Sequence, residues 1–229
     1  MLTGDELGAL LGDDALRRGV QGTYACSVVS SSLLSRLAAA AGQPFVYTLT
    51  GFKWIGRVPG LAFGYEEAIG YCVAPAAVPD KDGISALVRV LALAAALRAD
   101  GRTLADRLDE IATVHGVHQT SQLSVRVADL AVIGEAMARL RSAPPSSLDG
   151  EPVEVQDLAA GSAQLPATDA VLLTGASTKV VVRPSGTEPK LKCYLEVREE
   201  PVADLAGARR RAQARMERVR QEMSTVLGL

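Results

Sequence analysis

Apolar and polar positions alternate in blocks along this chain, and the blocks change character near the middle. From Asp5 to Arg18 the apolar residues fall at helical spacing, with Leu7, Leu10 and Leu11 on one side and Thr3 or Asp5 placed to cap the start. Tyr24 to Val29 is a short apolar run that reads as a buried strand. Ser30, Ser31 and Ser32 follow as the cap of a helix over Leu33 to Ala41, which Gly42 ends. Pro44 to Thr50 reads as a strand, Gly51 to Arg57 as a short helical turn, and Leu61 to Phe63 as a third strand. This rhythm predicts a largely parallel sheet within an α/β layer. Asp82 to Arg98 is so apolar that it reads as a helix buried on most sides. Thr103 and Asp106 form a capping box for a helix from Leu104 to Val114, with Gly116 as its stop.

From Val117 to Ser124 the chain is polar and without clear period, which suggests a domain boundary. Beyond it come a strand at Leu123 to Val127 and a helix from Ala128 to Arg141, then breakers at Ala143 to Ser147 and a short strand at Val153 to Val155. Val171 to Thr174 and Lys179 to Val182 flank a Gly-Ala-Ser turn and predict a hairpin. In Leu191 to Val197 the residues Leu191, Cys193, Leu195 and Val197 alternate with polar ones, so one face is expected in the core and the other wet. A final Arg-rich helix, Asp204 to Leu227, would turn its charges to solvent. The expected fold is thus a mixed α/β domain with a largely parallel sheet, followed by a smaller α+β domain with an antiparallel sheet.

Charge narrows the functions. Lys plus Arg is 24 against 26 for Asp plus Glu, a net charge of -2 over 229 residues. That balance speaks against a dedicated nucleic-acid binder. Cys26, Cys72 and Cys193 lie far apart, which suggests a reducing compartment with no disulfide frame or zinc knuckle. The start carries Asp5 and Glu6 and lacks the basic opening of a secretory signal, and the longest apolar run is too short to span a bilayer. A cytoplasmic protein without membrane contact is the expectation.

One stretch concentrates anion-binding chemistry: Arg183-Pro184-Ser185-Gly186-Thr187-Glu188-Pro189-Lys190, between two predicted strands. Arginine offers a planar fork of donors and Lys190 adds charge. Ser185 and Thr187 add hydroxyls, and Gly186 lets backbone N–H groups approach a ligand. This mixture suits a phosphate dianion. Lys53 and the pair Glu66-Glu67 fall just after strands, where ligands gather in α/β sheets. His115 and His118 flank Gly116 and receive no role; Trp54 reads as a core residue.

Taken together, TLTGFKWIGR, FGYEEAIGY, DKDGISALV and VVVRPSGTEPKLKCYLEV resemble, in this order, the second half of the α-D-phosphohexomutases. The resemblance covers essentially the whole chain and implies a division at 118/119. Residues 1–118 would be the sugar-binding third domain and residues 119–229 the phosphate-binding fourth. It implies that Arg183, Ser185, Gly186, Thr187 and Lys190 grip the substrate phosphate that does not react. It implies that Glu66 and Glu67 accept hydrogen bonds from sugar hydroxyls and that Lys53 reaches the cleft. Ala68 departs from the serine several relatives carry there, so the sugar is left open.

Such enzymes interconvert hexose 1-phosphate and hexose 6-phosphate through a phosphoserine and a bisphosphate intermediate. They bind Mg2+ through a D-x-D-x-D loop. Neither that loop nor a serine loop of the T-A-S-H-N kind is found here; Asp80-Lys81-Asp82 reads as a helix cap. The implied reading is a truncated or split phosphohexomutase: a part that holds a sugar phosphate, carries no catalytic residue or metal ligand of its own, and could be completed by the missing N-terminal half in trans. The opening Met1 to Glu6 looks like an internal point of the family sequence. A non-catalytic sugar-phosphate-binding module, or a remnant without function, is the alternative.

Overall fold

The computed structural model describes Met1 to Gly228 and divides the chain into two compact units, Met1–Gly116 and the part from Val117 onward. The first opens with α1 (Gly4–Arg17). Thr3 and Glu6 close a capping box at its start: Glu6 N–H donates to Thr3 Oγ1 at 3.1 Å and Thr3 N–H to Glu6 Oε2 at 2.7 Å. Then follow β1 (Thr23–Ser27), α2 (Leu33–Ala40), β2 (Phe45–Thr48), the single turn α3 (Phe52–Ile55), β3 (Leu61–Glu66), β4 (Gly70–Cys72), α4 (Gly83–Ala99) and α5 (Leu104–His115). The sheet order is β2-β1-β3-β4, with β1 parallel to both neighbours and β4 antiparallel to β3. Helix α1 lies close on this sheet. A Cβ on Gly8 would come within 2.5 Å of the Tyr65 ring, and one on Gly12 within 2.5 Å of Leu34 Cδ1. The core between them holds Leu11, Tyr24, Leu34, Phe63 and Tyr65, all almost fully buried.

The second unit contains β5 (Val117–Arg126), α6 (Ala131–Ser142), β6 (Ser147–Leu148), β7 (Glu151–Pro152), β8 (Glu154–Asp157), a 3-10 turn (Leu158–Ala160), β9 (Val171–Thr174), β10 (Thr178–Pro184), β11 (Lys190–Glu199) and α7 (Leu205–Leu227). Five strands pair antiparallel in the order β5-β11-β10-β9-β8. Val180, Val182, Leu191, Cys193, Leu195 and Val197 face Met137, Leu140, Met216, Val219 and Met223 of α6 and α7. The α/β and α+β architecture expected from the sequence is the one observed.

Several local expectations need correction. The polar stretch Val117 to Ser124 is the first part of β5, which pairs with β11 over its full ten residues. Ladder hydrogen bonds to a central strand override its weak propensity. The opposite face of β11 is not wet throughout: Tyr194 and Glu196 are 6% and 2% exposed. Glu196 takes His118 Nδ1 at 3.0 Å and Lys179 Nζ at 3.6 Å, so its charge is paired where it is buried. Trp54 is half-buried, and α4 is far less enclosed than its composition predicts. On α7, Arg209, Arg210 and Arg211 are solvated as expected. Arg215 is instead drawn in between Asp149 at 2.7 Å and Glu199 at 3.2 Å. The three cysteines are free and buried. Among the described residues no helix is long and apolar enough to cross a membrane.

Candidate functional site

Each unit carries one group of the residues singled out above. In the first unit the group sits at the tip of the β3–β4 hairpin and at the start of α3. Glu66 ends β3 and stands opposite Gly70. Its Oε1 accepts the Gly51 N–H at 2.6 Å, which fastens the T-G-F-K turn to the hairpin. Gly51 has φ 107°, a conformation costly for any side chain, and it directly precedes α3. Lys53 is exposed on α3, its Nζ 5.6 Å from the centre of the Trp54 ring. Glu67 turns inward: its Oε2 accepts from Ser27 Oγ at 3.2 Å and Ser30 Oγ at 3.4 Å, and its N–H donates to Ser30 Oγ at 3.1 Å. Burial, and then the nearby Asp5 carboxylate, push the Glu67 carboxyl above the usual carboxylate range. Asp5 in turn accepts from the Ser31 N–H at 2.7 Å and the Tyr65 hydroxyl at 2.9 Å. Of the serines read as a helix cap, Ser32 holds the cap position of α2 without a side-chain hydrogen bond, Ser31 takes the Leu33 N–H at 3.1 Å in the turn before it, and Ser30 serves Glu67.

In the second unit the loop from Arg183 to Lys190 joins β10 to β11. Ser185 N–H donates to the Lys190 carbonyl at 2.8 Å and closes its base. The register sets Arg183 opposite Lys192 and Lys190 opposite Arg126. Residues directly opposed, and residues two apart on one strand, share a face, so these four cations lie on one side of the sheet. Their one acidic neighbour in the loop is Glu188, which takes Lys190 Nζ at 2.9 Å and Arg126 Nη2 at 2.7 Å. The Lys190 hydrogen bond, above all, holds the Glu188 carboxyl below its usual range. Among the described residues the side chains of Arg183, Ser185 and Thr187 make no hydrogen bond to the protein. A Cβ on Gly186 would meet nothing within 4 Å, so its backbone is open to solvent.

Sequence reasoning missed Arg126, Lys192 and the pairing role of Glu188. Arg126 reaches the loop only through the β5–β11 register, which no local pattern announces. Glu188 could have been found, because a carboxylate two residues before Lys190 is within its reach. Asp80-Lys81-Asp82 is indeed a cap: Asp82 accepts the Ile84 N–H at 3.0 Å and the Ser85 N–H at 3.2 Å, and Asp80 accepts the Lys81 N–H at 2.7 Å. These carboxylates already hold backbone donors and do not fit a magnesium site.

Comparison with known proteins gives concordant matches. Residues 3–114 match the alpha/beta/alpha domain III of phosphoglucomutase/phosphomannomutase, and residues 76–212 match the C-terminal domain of the same family. A probable phosphomannomutase of Haemophilus influenzae is 42% identical over 205 residues, covering 89% of this chain and 42% of the relative. Human phosphopentomutase is 33% identical, covering 88% of this chain and 39% of its own length. The chain therefore spans about two fifths of the length of these relatives. Among solved structures, a Paramecium phosphoglucomutase, parafusin, superposes with a TM-score of 0.72 at 18% identity, over all of this chain and 43% of that one. A phosphomannomutase-like protein of Thermus thermophilus gives 0.65 at 21% identity, over 97% of this chain and 41% of that one. The agreement of both family profiles with the curated relatives means that this chain belongs to the phosphoglucomutase/phosphomannomutase family, matching its domain III and its C-terminal domain.

Proposed function

We propose that this chain is the substrate-holding part of a phosphohexomutase that interconverts hexose 1-phosphate and hexose 6-phosphate. The observation that carries this is the loop from Arg183 to Lys190. It offers the uncommitted donors of Arg183, Ser185 and Thr187 beside Lys190, Lys192 and Arg126, with one paired carboxylate among them. A phosphate dianion answers both the charge and the donor geometry. In this reading residues 119–229 grip the non-reacting phosphate, and residues 1–118 orient the sugar through Glu66, Glu67 and Lys53. The phosphoryl group that moves is carried by a phosphoserine on the family's N-terminal half, and Mg2+ belongs to that half too. No step of the chemistry is assigned to this chain. Its residues bind and orient, which is much of what phosphoryl transfer needs from a protein.

Glucose 6-phosphate titrated into the labelled chain is expected to shift the backbone amides of Ser185, Gly186 and Thr187. The chain alone is expected to give no turnover in a coupled mutase assay. Amide shifts confined to other residues would overturn the loop assignment, and robust turnover would overturn the division of labour. Binding without any gain in activity when an N-terminal half is added would favour the non-catalytic module.

A further inference from the structure

The loop from Arg183 to Lys190 is tied down at one end only. Two pairs of like charge stand opposed at its base, Arg183 with Lys192 and Lys190 with Arg126. Like charges directly opposed across a ladder repel one another. Glu188 answers the second pair. Its Oε1 accepts from Lys190 Nζ at 2.9 Å and from Arg126 Nη2 at 2.7 Å, and its Oε2 takes Lys190 Nζ at 3.1 Å. The backbone repeats the tie: the Glu188 carbonyl accepts the Lys190 N–H at 2.7 Å, and the Pro189 carbonyl accepts the Val127 N–H at 3.0 Å. Residues 188–190 are thus sewn to the end of β5. Among the described residues the Arg183–Lys192 pair has no acidic partner, and the N–H groups of Gly186 and Thr187 meet no acceptor.

By its charge, a carboxylate in this place works against an anionic ligand. The Lys190 hydrogen bond, above all, lowers the Glu188 carboxyl, so at neutral pH it is a full negative charge beside the free donors. Coulomb repulsion from it would weaken the hold on a phosphate dianion. Its geometry acts the other way. Ser185 N–H closes on the Lys190 carbonyl at 2.8 Å, so the placing of Lys190 sets the base from which Arg183, Ser185 and Thr187 project. Arg126 fixes Lys190 through Glu188. Charge and position therefore predict opposite signs for the same residue.

We infer that Glu188 is a positioning residue for the sugar-phosphate ligand: it straps Lys190 to Arg126 and so holds the loop in its binding shape, keeping the Arg183–Lys192 pair for the phosphate. Arg126 is the anchor of this strap, reaching the ligand only through Glu188 and Lys190. The inference rests on the phosphate reading of the loop given above, and adds to it a residue whose charge alone would oppose binding.

The test titrates glucose 6-phosphate into the full chain and its variants, following the Ser185, Gly186 and Thr187 amides by NMR, with urea melts in parallel. Glu188→Ala should weaken binding about tenfold at an unchanged urea midpoint, the scale of one charge-assisted bond. Glu188→Gln keeps an acceptor for the strap and should lose only about threefold. Charge alone gives the reverse, with both variants tighter than the wild type. Arg126→Ala should weaken binding as Glu188→Ala does, and the double variant should be no weaker than either, because the two act as one unit. Hydrogen exchange at the Val127 N–H, measured without ligand, should quicken in Glu188→Ala. Glu188→Gln and Arg126→Ala carry the test if the alanine at 188 lowers the urea midpoint. Unchanged or tighter binding in the Glu188 variants, additive losses in the double variant, or unchanged exchange at Val127 would each overturn the inference and leave the phosphate reading standing. A wild-type chain in which none of the three loop amides shifts would overturn the phosphate reading, and the inference with it.

Discussion

The loop from Arg183 to Lys190 and the hairpin tip from Glu66 to Gly70 hold the two groups of proposed ligand-binding residues, and they treat their polar atoms in opposite ways. The loop leaves Arg183, Ser185 and Thr187 without protein partners and spends Glu188 on fixing Lys190 and Arg126. The hairpin commits both carboxylates: Glu66 to the Gly51 N–H, Glu67 to Ser27 and Ser30. A ligand at the loop gains charge-assisted bonds and displaces only water. A sugar at the hairpin has to exchange its hydroxyls for bonds that already exist, so its net gain there is small. The loop is therefore expected to dominate affinity, and the hairpin to set orientation and shape. Backbone strain points the same way: Ile69 is β-branched, has φ 63° and is 74% exposed at the hairpin tip. That conformation costs energy and returns no packing within the chain.

The largest expected effect breaks the loop. Arg183→Ala should weaken glucose 6-phosphate binding by about thirtyfold, the scale of a lost charge-assisted pair near 2 kcal/mol. Arg183→Lys should recover only part, because a point charge does not replace a planar fork. Both variants should keep the wild-type melting temperature, since Arg183 supports no other side chain. Calorimetric titration and thermal melting measure the two arms. Equal affinity in Arg183→Ala would place the phosphate elsewhere.

Two glycines sharpen the contrast at smaller scale. Gly186→Ala adds a Cβ that meets nothing within 4 Å, so stability should hold while binding falls several-fold from crowding of the ligand. Gly51→Ala places a side chain at φ 107°, and should destabilise the first unit by about 1 kcal/mol or more. Glu66→Ala removes the acceptor of the Gly51 N–H and should cost about 1 kcal/mol through the same turn. Chemical denaturation separates these outcomes from binding. If Gly51→Ala and Glu66→Ala were additive, the two would not act through one turn.

How much of this was legible in the chain depended on the range of the interaction. Thr3 with Glu6, and Thr103 with Asp106, announce their helices because a capping box is complete within four residues. The β9–β10 hairpin was readable for the same reason, and the donors gathered from Arg183 to Lys190 stand side by side in the sequence itself. Strand β5 was not: Gln119, Thr120 and Ser121 show no apolar alternation, and only their register with Val197, Glu196 and Leu195 makes them strand. Arg126 joined the loop cations by that route. The inward turn of Glu67 was hidden too, since Ser27 and Ser30 are about forty residues away in the chain. Helix α4 misled in the opposite sense, because apolar composition states what a helix can bury and not whether its partner lies within the same unit.

The smallest and most diagnostic effect concerns Glu67. Its carboxyl is raised by burial and by Asp5, so the folded chain binds this proton more tightly than the unfolded chain does. Stability from this group is therefore fully present below its unfolded pKa and is lost as pH rises through the folded one. Glu67→Gln keeps an acceptor for Ser27 and Ser30 and removes the titration. The variant should equal the wild type near pH 4 and exceed it at pH 7, by up to about 1 kcal/mol on the scale of one half-buried polar group. Paired urea melts across that range read the difference directly. A variant less stable than the wild type at pH 7 would mean that the charged carboxylate is worth more to the Ser27–Ser30 cluster than its burial costs. The hairpin would then be a site already prepared for a cation or a hydroxyl, and its contrast with the loop would close.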